Sequence, residues 1–417
     1  MQAWADWAES KVGVGALSAA SRLLLLVLCV LSDVLFVDHE AQGVAHFEVT
    51  AWFLRPFTRW DAAHYMNIAS EGVRRDLELA FLPGYPAVVR VLGTWLRRFE
   101  WLGRADSFVL SALIVNFVCF IASTLVLVHL FEHLKVPRQL KWTAMLVHLL
   151  NPANVFFSTA YSESLYASIS WLGILLLEKE KYATCWIFFL AASFIRSNGA
   201  LNAIFPAADL CSAFFPELAS RILKSGRGRV CNPRLALFAA PSFIAAILPH
   251  FLLDLHRHHS LCGTSNDYQS SHNCEHSRYW SYHGSYSYIQ SKYWGVGMFN
   301  YYRIEQVPNF ALAVPIFSVV IYLLFVNRSD KGNSKPSSRS RLAVAHCVHL
   351  ALHALVALTW AHVQIATRLI CAACPIIYLG IAHLFETFPS LRYRLALFLV
   401  GYNVLGILLH TNFFPWT

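Results

Sequence analysis

Charge is what this sequence has least of. Only 14% of its 417 residues are Asp, Glu, Lys or Arg, against 57% hydrophobic residues and a mean hydropathy of +0.47. A soluble domain carries roughly 25% charged residues. This chain cannot cover itself with enough charge to stay in water, so a soluble globular protein is excluded. It also has no Walker loop and no dinucleotide fingerprint, which disfavours ATP-driven or nucleotide-sugar chemistry. A basic domain is missing as well. The net charge of +9 comes from Lys and Arg in short connectors between apolar runs. That is the pattern of a cytoplasmic membrane face, so no nucleic-acid partner is expected. Cysteine is present but scattered: Cys29, Cys119, Cys185, Cys211, Cys347, Cys371 and Cys374 fall in apolar segments and read as small packing residues. Cys371 and Cys374 have redox spacing without a βαβ context, so packing is favoured there too. Cys262 and Cys274 share a polar loop and could form a disulfide on an oxidising side.

What is there is a series of apolar runs. The fold class expected is all-α, a polytopic transmembrane bundle over 1–417 as a single domain. The first run, 17–37, has a long core and no small-residue cleavage site, so it reads as an uncleaved helix. A mixed region at 38–107, rich in Trp, Phe and Arg, reads as short interfacial helices. Further runs lie near 108–133, 141–152, 162–178, 182–196, 199–215, 235–255, 309–327, 342–361, 369–386 and 394–411. That makes about eleven spans, some shorter than the roughly 20 residues a crossing needs. With the N-terminus in the cytosol, the basic connectors 135–141, 178–181, 216–234, 328–341 and 392–394 fall on the cytosolic side. The polar loops 38–107 and 256–308 then face the lumen. The first loop is also basic, but long loops are largely exempt from the charge rule. The sole glycosylation sequon, Asn327-Arg328-Ser329, falls in the cytosol and should be unmodified.

The organising stretch is Arg59-Trp60-Asp61, followed by Phe81-Leu82-Pro83-Gly84-Tyr85-Pro86. A carboxylate at a membrane edge is costly and usually has a purpose. Further blocks follow in order: Asn151-Pro152-Ala153-Asn154-Val155-Phe156, Tyr161-Ser162-Glu163-Ser164, Arg196-Ser197-Asn198-Gly199, Tyr286-Ser287-Tyr288-Ile289-Gln290, Tyr293-Trp294-Gly295, Gln306-Val307-Pro308-Asn309-Phe310, His362-Val363-Gln364 with Thr367-Arg368, and the closing Asn412-Phe413-Phe414-Pro415-Trp416-Thr417. This series resembles the PIG-V family of GPI mannosyltransferases, of the multi-pass GT-C type, over nearly the whole chain. It departs at Asp76-Leu77-Glu78, where related sequences tend to read Glu-His-Asn.

The resemblance implies an endoplasmic reticulum membrane enzyme with a luminal site. It implies dolichyl-phosphate mannose as donor, and transfer of the second, α1,6-linked mannose to a mannosyl-glucosaminyl-acyl-phosphatidylinositol acceptor. A small membrane accessory subunit is implied in some organisms. No cofactor and no metal are expected. Three other readings stay open: a mannosyltransferase acting on another dolichol-linked glycan, a non-catalytic subunit of such a complex, and a lipid scramblase or transporter. The last predicts midplane charges and internal repeats, and neither is found.

The chemistry needs a base on the attacking hydroxyl. Ordinary glycoside hydrolysis also needs an acid, but a phosphate leaving group needs only cations. Asp61 is the expected base, at a boundary where solvation is limited. Its alternative role is a helix cap, though His64 and Tyr65 at i+3 and i+4 favour a polar patch. Arg368 is the leading phosphate clamp, ahead of Arg196 and Lys292, because an arginine fork matches a phosphate. Interfacial snorkelling is its alternative. Trp60, His64, Asn198, Gln290, Trp294 and Gln364 are the other expected substrate contacts. Asp76 or Glu78 could orient a substrate or be solvated loop acids. Glu163 could bind acceptor hydroxyls or cap its helix with Ser162. The histidines His256, His258, His259, His272, His276 and His283 match no tetrahedral metal template.

Overall fold

The computed structural model describes residues 10–39, 46–99, 102–214, 233–264, 284–329 and 343–414. Every regular element among them is helical. The order is α1 (Lys11–Leu35), α2 (Asp61–Glu71), α3 (Gly84–Leu96), α4 (Arg104–His133), α5 (Arg138–Leu149), α6 (Glu163–Glu178), α7 (Tyr182–Ile195), α8 (Ile204–Phe214), α9 (Pro233–Thr264), α10 (Ser285–Trp294), α11 (Val307–Ser329), α12 (Ala343–Thr359), α13 (Ala366–Ala373), α14 (Ile376–Thr387) and α15 (Arg392–Thr411). The 38–107 region does form short helices, with 3-10 turns at Trp52–Thr58 and Asp76–Ala80 beside α2 and α3.

The expected span count needs correcting. Five helices among the described residues are long and apolar enough to cross a membrane, or six if α13 and α14 count as one broken span. The run expected at 369–386 is that pair, bent by 93°. Pro375 lies in the break. It offers no N–H and disfavours helical backbone at the residue before it, and Cys374 is extended (φ −110°, ψ 92°). The loop expected from 256 also begins later: α9 runs on to Thr264 and carries His256, His258 and His259. His272, His276 and His283 lie outside the described residues. Cys262 is in a disulfide. The seven other described cysteines form none, so its partner lies outside the described residues.

Buried polar groups fix how the helices meet. Arg22, 1% exposed, reaches from α1 to the end of α5, where it donates to the Leu149 carbonyl (2.9 Å) and Ser158 Oγ (2.8 Å) and lies over Phe120 at 3.8 Å. The last carbonyls of a helix lack intrahelical partners and carry partial negative charge, which is where an arginine inside a membrane protein finds compensation. Asn116 of α4 does the same for the turns after α5, donating to the Thr159 and Tyr161 carbonyls. These contacts let the short apolar hairpin 151–162 sit fully inside the bundle, with α4 and α6 packed side by side. Helix α6 has 16 residues, so its ends are about 24 Å apart at roughly 1.5 Å per residue. At its far end Glu178 meets His346 of α12 (3.3 Å), both buried. At its near end Glu163 is buried and pairs with Arg196, which lines a polar cavity.

Candidate active site

Residues Arg59, Trp60 and Asp61 do three different jobs. The Arg59 guanidinium is buried and bonds Asp33 of α1 (2.6 Å), Asp38 (3.0 Å) and the Thr411 carbonyl at the end of α15 (3.0 Å), and it lies over Phe413 at 4.3 Å. It ties the loop to the first and last helices. Trp60 takes a positive φ of 57° with ψ −130°. Bulky residues avoid that region, and such strain persists only where surrounding structure enforces it. Asp61 then opens α2, where the helix dipole favours its charge. It does not cap the helix: the N-cap is Trp60, with no side-chain cap bond. The carboxylate instead accepts from Arg368 Nη2 at 2.8 Å.

Arg368 comes from α13, positioned by the 3-10 turn Val363–Ile365. Its guanidinium lies over Phe156 and Tyr161, at 5.1 and 5.6 Å from the ring centroids, and its Nε is 3.9 Å from Glu163 Oε1. Glu163, whose side chain is 0% exposed, is held by Arg196 at 2.5 Å. The capping role also fails, since the Ser162 side chain makes no cap bond. Ser162 Oγ instead accepts from Arg196 Nη1 (3.1 Å) and meets Tyr65 Oη (3.2 Å). The result is a chain of alternating charge: Arg196, Glu163, Arg368, Asp61.

Asn198 extends it. Its Oδ1 accepts from Arg196 Nε (3.3 Å), and its Nδ2 meets Tyr166 Oη (3.3 Å) and His353 Nε2 (3.2 Å). His353 also bonds the His349 carbonyl through Nδ1 (2.8 Å). Donation there fixes the tautomer and leaves Nε2 as the acceptor for Asn198. His349, His353 and Cys374 offer three metal-type ligands within 4.8 Å of one another, but both His353 nitrogens already have partners.

Asp61, Arg196, Asn198 and Arg368 line a cavity of about 810 Å³, together with Trp60, Tyr65, Phe81, Ser197, His250, Tyr286, Gln290, Trp294, His362, Gln364 and His410. Sites for organic ligands run to roughly 300–1,000 Å³, so this one is ample for a sugar and a second reacting group. Burial pushes the Tyr65 phenol up to about 12 and holds the His362 imidazole below its usual range. Tyr65 therefore stays protonated and His362 neutral near pH 7. Four buried polar atoms here have no hydrogen-bond partner among the described residues: Trp60 Nε1, Glu163 Oε2, Arg368 Nε and His410 Nε2.

Of the expected contacts, Asp61, Trp60, Arg196, Asn198, Gln290, Trp294, Gln364 and Arg368 line the cavity, and Glu163 sits behind it on Arg196. Four others do not line it either. His64 stacks on Phe81 (4.9 Å). Asp76 accepts from Thr264 at the end of α9. Glu78 is 2% exposed, pairs with Arg75 (2.7 Å) and accepts the Arg74 backbone N–H (2.9 Å), so its work is to close a turn. Lys292 lies over Tyr288 and Tyr293. His410 escapes sequence reasoning. It packs edge-on against Phe156 and Tyr161. The signal that could find it is an ionisable side chain inside the last apolar run.

Two motif glycines set the walls. A Cβ on Gly199 would meet Ser193 Cα at 2.7 Å and the Ala192 carbonyl at 2.8 Å, and one on Gly84 would meet the Phe194 carbonyl at 2.8 Å. Both are backbone contacts at the end of α7, so the helix or the turn must move. Gly199→Ala is expected to cost about 1–3 kcal/mol by overpacking and to displace Asn198 and Arg196. A thermal scan of the detergent-purified variant, beside its transfer rate, checks this: an unshifted scan would remove the close approach as the reason for glycine.

The family described as "Mannosyltransferase (PIG-V)" matches residues 17–417. GPI alpha-1,6-mannosyltransferase 2 of Cricetulus griseus is 27% identical over 96% of this chain and 97% of its own length. GPI mannosyltransferase 2 of Drosophila melanogaster is 26% identical over 97% and 99%. That of Cryptococcus neoformans is 30% identical over 78% and 77%. Among solved structures, the oligosaccharyltransferase of Archaeoglobus fulgidus tethered to an acceptor peptide aligns with 98% of this chain and 55% of its own, at 11% identity and a TM-score of 0.47. A match over nearly the whole length means that this chain belongs to the PIG-V mannosyltransferase family.

Proposed function

We propose that the protein transfers the second, α1,6-linked mannose from dolichyl-phosphate mannose to the mannosyl-glucosaminyl-acyl-phosphatidylinositol precursor of the GPI anchor. It does so on the luminal side of the endoplasmic reticulum membrane, as a multi-pass enzyme of GT-C type. The single observation that carries the reading is the Asp61–Arg368 pair on the wall of a cavity of sugar size. A base and a phosphate-binding cation are the minimum that transfer from a lipid phosphate requires.

Asp61 takes the proton of the acceptor hydroxyl. The hydroxyl oxygen bonds to the anomeric carbon, the bond from that carbon to the phosphate oxygen breaks, and its electron pair leaves with dolichyl phosphate. Arg368 holds the leaving phosphate, which gains one negative charge, so no separate acid is needed. A single displacement turns a β-linked donor into an α-linked product. Trp60, Trp294 and Tyr286 supply flat faces for the sugars. An apolar cavity of about 350 Å³ walled by Leu312, Ile316, Tyr322, Phe385, Phe398 and Thr367 suits a lipid chain.

The test is conversion in microsomes carrying the protein. With dolichyl-phosphate mannose and the one-mannose precursor, one hexose should be added and then be removable by an α1,6-specific mannosidase. Transfer to another dolichol-linked glycan in preference to that precursor would replace the acceptor assignment.

A further inference from the structure

Asp61 is held by Arg368, the cation that the donor needs. The geometry points to a donor-gated base: Asp61 and the phosphate of the incoming lipid donor compete for the one guanidinium of Arg368, so Asp61 is released for proton transfer only when the donor is seated. This rests on the proposed roles of Asp61 as base and Arg368 as phosphate clamp.

The four charges are not equivalent. Glu163 is fully enclosed and held at 2.5 Å by Arg196, whose side chain is 13% exposed. That inner pair has nowhere to go. Asp61 is the open member, 31% exposed against 16% for Arg368. The rings of Phe156 and Tyr161 lie against the Arg368 guanidinium, which leaves its edge for hydrogen bonding. Nη2 serves Asp61, whereas Nε is enclosed and faces Glu163 Oε1 at 3.9 Å. A phosphate oxygen that takes the open Nη2 side in a charge-assisted bond meets Asp61 there. Glu163 cannot yield to it, so Asp61 must.

Charge balance drives the same exchange. Two arginines and two carboxylates make the resting quartet neutral. A phosphodiester adds one negative charge beside Asp61, and like charges at close range disfavour both staying ionised. Neutrality returns when Asp61 takes up a proton, which is its part in the reaction. The Asp61 oxygen that accepts from Arg368 is engaged there, so an enzyme without donor is also without a free base. The competition has a cost in affinity. If Asp61 holds Arg368 about nine-tenths of the time, apparent donor affinity falls about tenfold.

The measurement is binding of dolichyl phosphate to the full-length protein in nanodiscs, for wild type, Asp61→Asn and Asp61→Glu, with phosphatidylinositol as a second probe. Each variant is first checked for a monodisperse profile and an unshifted thermal transition. Asp61→Asn is expected to bind dolichyl phosphate about tenfold more tightly than wild type. Asp61→Glu keeps the competing charge and should not. Equal or weaker binding by Asp61→Asn overturns the gate. Tightening by both variants overturns it too, since that reports loosened packing rather than a lost competitor. Tightening toward phosphatidylinositol alone would take Arg368 away from the donor. None of these outcomes bears on whether Asp61 is the base, which is read from the rate of transfer.

Discussion

Asp61→Asn is expected to lower mannosyl transfer by about 10²–10⁴-fold, the usual contribution of a positioned base, while the amount of folded protein stays the same. The amide is isosteric. Its oxygen still accepts from Arg368 Nη2, which stands 2.8 Å from the native carboxylate, but it cannot take a proton. The side chain is 31% exposed, and Arg368 keeps Glu163 as a second carboxylate neighbour at 3.9 Å, so replacing the Asp61 charge leaves the guanidinium compensated. Cells depending on the variant should accumulate the one-mannose precursor at normal protein levels. With Asp61 and the donor competing for Arg368, the loss falls on kcat, and KM for the donor does not rise. Purified Asp61→Asn turning over near the wild-type rate would remove Asp61 from the chemistry. Loss of the protein itself would make the residue a structural one.

Asp61 is legible in the sequence because of where it stands. A carboxylate between a long apolar run and a cluster of Trp, Phe and Arg has no cheap explanation in a membrane protein. Arg368 and Arg196 are legible for the same reason, as cations at the ends of apolar runs. Asp76 and Glu78 have the same composition but a different fate. An acid three residues from an arginine closes a turn as readily as it binds a ligand, and only the fold shows Glu78 folded back on Arg75 and on the Arg74 backbone N–H. Lys292 has a clamp's charge and setting in the sequence, yet its ammonium rests on the rings of its own helix. His410 is invisible because an apolar run hides which of its faces meets a cavity.

The helices divide along the same line. Existence and order are readable from the apolar runs, whereas lengths are not. Pro375 sits inside a run whose hydropathy never drops, so periodicity passes through a 93° break that the local backbone cannot. Helix α9 continues to Thr264 through Asp254, Arg257 and three histidines, a stretch polar enough to read as loop. Asp254 accepts the backbone N–H groups of Gly284 (3.1 Å) and Tyr286 (2.8 Å). Arg257 donates to the Leu79 carbonyl (2.8 Å). These partners are distant in sequence, and they are what makes a charged helix end worth forming.

The second large effect belongs to the inner pair. Glu163→Gln and Arg196→Met are each expected to destabilise the protein by about 3–5 kcal/mol, because each leaves one buried charge without its partner. Glu163 is 0% exposed and Arg196 13%, at 2.5 Å, so water replaces the missing group poorly in either variant. The double variant Glu163→Leu with Arg196→Met should behave differently. A buried ion pair replaced by apolar side chains of similar volume is often neutral in stability, so much of the loss should return. The two sites are in contact, and their effects should not add. Activity should not return. Arg368 would lose its second carboxylate neighbour, at 3.9 Å, and Asn198 would lose the Arg196 Nε that fixes its amide. Thermal unfolding of the three purified variants, beside their transfer rates, separates the two roles. A double variant as unstable as either single one would show that Glu163 and Arg196 are not a unit. A double variant that is both stable and active would confine them to scaffolding, and the working charges would then reduce to Asp61 and Arg368 alone.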